Sequence, residues 1–479
     1  MATNHLSSPS RPDGAPGPAL DTRSILAVVT AGTFFFSVGI SSIGLALPNI
    51  CRDLAADVHL ARWVMMALLM SSTTFLLIMG RMSDLFGHRR MYVAGNVVYS
   101  LAMLLSGLAT DLPFLLVGRV LQGFGGAMVM AAGPAILSTL FPPSQRGRAL
   151  GVMSTAVYAG LACGPPVGGF ILTGFGWKWI FFSMVPVAAV VAVAGYTCIP
   201  SDAKAGKQQL DIRGMVLLAV GLPLLLLALN QGGVWGWGSP AILVPGAAGV
   251  ICLTAFVMGE LGAKSPVVDL TLFRSRLFTG STLAALANYT ALTCVTFLAP
   301  FFLNEGMRLD PSRAGIVLAA QPLIMALVAA PAGWLSDRIG SRGLTVGGML
   351  VIAGVLLYMS RAISFNMSIA EIAVIMGLLG FGTGIFTSPN SSALMGSAPR
   401  EHQGLAGGMM AFARNLGMVT GTLLAADIFR LMGGNTGRLW GDADLSAIRV
   451  VIYTAVVVAL LGAFTSAMRG PYNNGQRRG

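Results

Sequence analysis

Charge is what this sequence has least of. Lys, Arg, Asp and Glu make up 10% of 479 residues, against 55% hydrophobic residues, and the mean hydropathy is +0.77. So little charge cannot coat a chain of this length in water, which excludes a set of ordinary soluble domains. Cysteine is sparse as well: Cys51, Cys163, Cys198, Cys252 and Cys294 are scattered without metal-ligand spacing, so a redox or zinc role does not fit. No Walker motif is present and the glycine runs lie inside apolar stretches, which leaves direct ATP driving unsupported. Catalysis, a cofactor and a metal are not expected.

What the sequence does have is apolar length. Long hydrophobic stretches recur from Ile25 to Met468, separated by short turns that hold most of the charge. Backbone groups in hydrocarbon must be paired internally, so stretches of this length are read as spanning helices. Fourteen are expected, near 25–47, 61–79, 90–109, 113–139, 149–172, 179–199, 211–230, 240–259, 278–303, 312–334, 343–361, 368–395, 403–427 and 448–468. The seventh and eighth are the weakest, joined by a turn through Gly232, Gly233, Trp235, Gly236, Trp237 and Gly238. The implied fold class is an all-α polytopic membrane protein.

The formal charge of +12 could point to nucleic acid, but the basic residues sit between apolar segments, where topology explains them. An even helix count puts both termini on one side. That side carries 19 Lys and Arg and the other 9, with the acids split nine and nine. Both termini are therefore expected in the cytoplasm, in an inner (plasma) membrane. No nucleic-acid partner is expected, and the chain is expected to act as a monomer in the bilayer.

The loops carry an internal repeat. Gly80 to Arg90 (GRMSDLFGHRR) follows the second helix and Gly333 to Arg342 (GWLSDRIGSR) the tenth, both reading G-x-x-S-D-x-x-G-x-R. The chain thus divides into residues 1–24, a disordered tail; 25–200, a six-helix bundle; 201–275, two linker helices with loops; 276–468, a second six-helix bundle; and 469–479, a second tail. Asp84 and Asp337 are placed to accept hydrogen bonds from basic residues or from a helix N-terminus, as a latch made in one conformation and broken in another. Arg89, Arg90, Arg148 and Arg338 complete this expected cytoplasmic gate.

Two arginines fall inside helices. Arg119, with Gln122 one turn on, and Arg414, with Asn415 beside it, are costly in hydrocarbon unless they face water, an acid or carbonyls. Both are expected to line a polar cavity between the bundles. In the fifth helix, Gly160, Gly164, Gly168 and Gly169 flank Pro165 and Pro166; small residues allow close approach and the prolines bend the helix. Met is abundant at 26 residues, a soft surface that suits varied lipophilic ligands.

With these motifs in place, the chain resembles the major facilitator superfamily, specifically its fourteen-helix drug:proton antiporter group. The resemblance covers about residues 25–468 and rests on Gly80 to Arg90, Arg119 to Ala127, Gly160 to Gly169, Trp177 to Phe181, Asp211 to Gly214 and Arg414 to Gly421. It implies alternating access by the two bundles, with proton entry driving export of a small lipophilic molecule such as a drug, antibiotic or metabolite. It also implies that Arg119 couples proton and substrate, that Asp84 and Arg89 form the gate, and that Gly164 and Pro165 form the antiporter bend. One departure stands out: the helix-one Asp expected nine residues before Pro48 is Gly39. Asp427, Glu305 and Glu371 are the other acids near membrane depth, all placed near outer helix ends. An anionic metabolite with atypical or absent proton coupling is therefore the alternative cargo.

Overall fold

The computed structural model describes residues 22–54, 58–201, 211–263, 266–309, 311–433 and 440–469. Among them are fourteen α-helices and no strand: α1 (Thr22–Asp53), α2 (Val58–Phe86), α3 (His88–Gly107), α4 (Leu112–Leu140), α5 (Arg146–Phe175), α6 (Lys178–Cys198), α7 (Ile212–Trp235), α8 (Pro240–Glu260), α9 (Arg276–Phe301), α10 (Pro311–Ile339), α11 (Ser341–Ala362), α12 (Ile369–Ser397), α13 (Gln403–Leu431) and α14 (Asp442–Ala467). Most of the two expected tails, and within the linker residues 202–210 with two of the basic residues counted above, Lys204 and Lys207, lie outside the described residues. α1 begins at Thr22, inside the stretch assigned to the first tail.

Local sequence sets the breaks. The second glycine of each repeated loop, Gly87 and Gly340, has φ of 98° and 88°, a left-handed conformation that glycine adopts without steric cost. The chain there ends α2 or α10 and starts the next helix immediately. At the other end of the bundle, Asp111 caps α4 by accepting from the Phe114 N–H at 2.8 Å. α7 runs on through the expected turn to Trp235, and the break comes at Gly236 with φ of 86°. Gly232 is helical, and the Trp237 ring packs where a β-carbon would stand, at 2.6 Å.

Twelve helices are long and apolar enough to cross a membrane on their own. The other two, α3 and α13, carry polar groups that their packing hides. Asn96 and Ser100 of α3, and Gln403 and Asn415 of α13, are all buried, so neither helix needs an apolar circumference. Helices α1 to α6 form one bundle and α9 to α14 the other; the apolar core of the first extends into α9, α12 and α13, and the second has a further core of its own. They meet along α2 with α13 and α5 with α10, while α7 and α8 pair with each other beside α2. The molecule is thus a multi-pass membrane protein of two six-helix bundles and two linker helices.

Candidate functional site

The repeated loops lie at one end of the molecule, the basic end, and each reaches across to the opposite bundle. Asp84 Oδ1 accepts from the Gly404 N–H at 2.5 Å and Oδ2 from the Leu405 N–H at 2.9 Å, at the first turn of α13. Asp337 Oδ1 accepts from Gly147 N–H and Oδ2 from Arg148 N–H, both at 2.9 Å, at the first turn of α5. A carboxylate on two free amides at a helix N-terminus has both hydrogen bonds and the helix dipole in its favour. The second bundle thus repeats, with roles exchanged, the contact made by the first.

Sequence reasoning did not find the other half of these contacts. α5 opens with Gly147 and Gly151, α13 with Gly404 and Gly408, at matching places. A β-carbon on Gly80 would meet the Gly404 carbonyl oxygen at 2.7 Å, and one on Gly151 the Ala329 carbonyl oxygen at 2.9 Å. Only glycine lets the backbones approach so closely. The G-x-x-x-G spacing at both helix starts was the available signal.

The arginines assigned to the gate act differently from one another. Arg89 donates to the Tyr196 carbonyl and lies over its ring at 4.5 Å, tying α3 to α6. Arg148 contributes its backbone amide, with its side chain exposed like that of Arg90. Arg338 covers the Trp334 ring at 3.8 Å.

Deeper in the membrane region, Arg119 departs from expectation. It is fully buried, donating to the Val64 carbonyl at 2.7 Å and to Gln122 Oε1 at 2.5 Å. Gln122 in turn donates to Ser106 Oγ at 2.7 Å. A guanidinium placed seven residues inside the start of α4 is satisfied by a carbonyl of α2 and by a glutamine one turn along its own helix rather than by a water-filled cavity. Gly39 lies close by, where a β-carbon would stand 2.8 Å from the Tyr99 hydroxyl, and that hydroxyl is buried without a hydrogen-bond partner.

Arg414 and Asn415 project to different places. Arg414 lies against Met130 Sδ at 3.7 Å and lines a 40 Å³ chamber at the bundle interface. In that chamber Tyr158 of α5 shares a hydrogen bond with the Tyr289 hydroxyl of α9 at 3.2 Å and donates to Thr387 Oγ1 of α12 at 3.1 Å. Asn415 instead donates to Thr73 Oγ1 at 3.3 Å and lines a cavity of 520 Å³ between α2, α7, α9 and α13. Met66, Leu69, Phe297 and Met418 give this cavity an apolar wall, and Asp427 and Arg430 lie on it too. Asp427 lies near the end of α13, as expected, and there it lines this cavity. Glu371 remains at a helix start, accepting from the Tyr358 hydroxyl at 2.7 Å.

In α5, Gly160, Gly164 and Gly168 pack on α1, where β-carbons would strike Phe34, Ser41 and Ser42. Ser42 Oγ donates to the Gly164 carbonyl at 2.8 Å. Pro165 and Pro166 face outward and Gly169 is half-buried. Gly417 and Gly421 of α13 pack on α9 in the same manner. Among the described residues no cluster of side chains could hold a metal ion.

The model describing the Major Facilitator Superfamily matches residues 29–422 and 281–475. A riboflavin transporter, RibZ, of Clostridioides difficile is 30% identical over 406 residues, 85% of this chain and 88% of its own. The tetracenomycin C resistance and export protein of Streptomyces glaucescens is 30% identical over 455 residues, 93% of this chain and 83% of its own. Among solved structures, the human organic anion transporter MFSD10 superposes with a TM-score of 0.66 at 15% identity, covering 94% of this chain and all of that one.

Proposed function

The chain belongs to the major facilitator superfamily, a family of secondary transporters, and from that premise we propose that it exports small lipophilic molecules by alternating access, driven by proton antiport. The observation that carries this reading is the crossed pair of latches, Asp84 on α13 and Asp337 on α5, at one end of an interface that holds a 520 Å³ cavity with an apolar wall. Two bundles joined at one end and separated by a cavity fit an alternating-access cycle, in which the latches break as the basic end opens. On the positive-inside rule the basic end is the cytoplasmic one, a reading in which both termini lie inside and the protein sits in the plasma membrane. The relatives named for export of tetracenomycin C and transport of riboflavin support a small organic cargo.

Proton coupling needs an acid that meets the cavity. Gly39 cannot supply it, and Asp427 is the carboxylate on the cavity wall; we assign it the proton. The test is uptake of a chemically varied compound panel into inverted vesicles, with and without a pH gradient, by the parent and by Asp427→Asn. Gradient-dependent uptake of at least one lipophilic compound, lost in the variant, is the expected result. Uptake that ignores the gradient in the parent overturns the coupling, and uptake confined to anions would transfer the reading to an anionic metabolite held near Arg414.

A further inference from the structure

Beside the α10 to α11 loop, and separate from the cavity assigned to substrate, the basic end holds a second cavity of 330 Å³. Its lining includes Ser336, Arg338, Ser341, Arg342, Ser392 and Arg469. Sequence reasoning leaves Arg469 in a tail, yet it is 1% exposed. Its Nη2 donates to Asn390 Oδ1 and to the Gly280 carbonyl, whereas Nε and Nη1 are buried with no partner. A buried guanidinium with two unmet donors is costly unless an anion or acceptor completes it.

The same cavity takes in the start of α11, a 22-residue helix. Gly340 provides no side-chain cap and the first turn holds no acid, so this helix start, whose Ser341, Arg342 and Gly343 line the cavity, has amides without an internal counter-charge. Asp337 also lines the cavity, but its two oxygens are turned to the Gly147 and Arg148 amides. Three guanidinium groups against one carboxylate leave the lining positive, and hydroxyls of three serines add donors.

We propose that this cavity binds a phosphate group, carried by a soluble phosphate compound or by a lipid headgroup. A tetrahedral dianion matches the set: helix-start amides on one side, the rim guanidinium of Arg342 and the floor guanidinium of Arg469 on the others. Pro143 is the one lining residue from the first bundle, so the cavity is complete only while the Asp337 latch is made. Phosphate binding therefore favours the conformation closed at the basic end.

The experiment uses the full chain in nanodiscs and does not read transport, so it stands apart from the proposed export. In one arm, radiolabelled inorganic phosphate is titrated in zwitterionic lipid. In the other, phosphatidic acid is added to the discs without free phosphate, and lipid retained by the protein is read by native mass spectrometry. Saturable binding in either arm, weakened about tenfold by Arg342→Gln and by Arg469→Gln, is expected, since each loses a charge-assisted hydrogen bond. Arg342 is exposed, so its variant keeps the test decisive if Arg469→Gln fails to fold. Binding only in the first arm assigns a soluble phosphate, and only in the second a lipid headgroup. No binding in either arm, or binding indifferent to Arg342→Gln, overturns the proposal.

Discussion

Replacing Asp84 with Asn removes one latch with almost no change of shape. In the parent each carboxylate oxygen takes one amide of α13; Asn keeps one acceptor and turns an NH2 toward the other N–H. The variant thus loses a charge-assisted hydrogen bond, about 1.5–3 kcal/mol, and the attraction of a charge to the helix N-terminus, about 1–2 kcal/mol where partly buried. These overlap, so about 3 kcal/mol is the working figure. Screening takes little from it because the side chain is 2% exposed. The ratio of closed to open basic ends should fall on the order of a hundredfold. Spin labels at positions 90 and 400, both exposed and on opposite bundles, read that ratio as a distance distribution by pulsed electron resonance, after the exposed Cys163 and Cys198 are replaced. The expected outcome is a shift to longer separations, slower transport and an unchanged helical content. An unshifted distribution with parental transport in well-folded protein would refute the latch and leave Asp84 as a solvated turn residue.

Gly80→Ala should lower transport about tenfold with the fold retained, because its β-carbon meets backbone at the Gly404 carbonyl and the helices must part; parental flux would mean this crossing does not form during the cycle. Tyr158→Phe should reduce transport about tenfold by removing a hydroxyl with two partners, whereas Tyr99→Phe, which removes a buried hydroxyl with none, should raise the unfolding temperature slightly. Paired thermal melts and flux assays separate the two, and equal effects would contradict the hydrogen-bond assignment. His402, outside the spanning segments, stands 3.4 Å from Asp269; burial holds its pKa below 6.5 despite that neighbour. A histidine with a lowered folded pKa binds fewer protons folded than unfolded, so its contribution is present above about pH 6.5 and is lost as pH falls through that value toward the folded pKa. Asp269 is opposed by burial but lowered on balance by its Thr271 hydrogen bonds, so its contribution too is lost on acidification. The parent should lose more stability than His402→Asn between pH 7 and about pH 5, and melts that run parallel across that range would remove His402 from the account.

The places where the sequence misleads share a cause. Arg119 reads as a cavity residue because an isolated guanidinium in hydrocarbon demands water or an acid, yet a carbonyl oxygen of α2 and the Gln122 amide oxygen of its own helix meet the same demand. Asp427 is legible as an acid near a helix end, but its facing a cavity is not, because depth along a helix can be read from sequence and the direction a side chain faces cannot. Arg469 reads as tail because it follows the last apolar run, although α9 and α12 close over it. Tyr158, Tyr289 and Thr387 come from three helices distant in sequence, and no local pattern announces their meeting.

By itself the sequence determines that this is a helical membrane protein built from a repeated unit, since apolar length, scarce charge and the twin G-x-x-S-D-x-x-G-x-R loops depend on nothing but composition and spacing. It even places Asp84 and Asp337 where a helix N-terminus could take them. Only the tertiary structure decides that each carboxylate crosses to the other bundle, that glycines at the starts of α5 and α13 receive it, and which polar groups face a cavity. Those are properties of pairs of helices, set by crossing angle and rotation about the helix axis, and a one-dimensional pattern of hydrophobicity fixes neither.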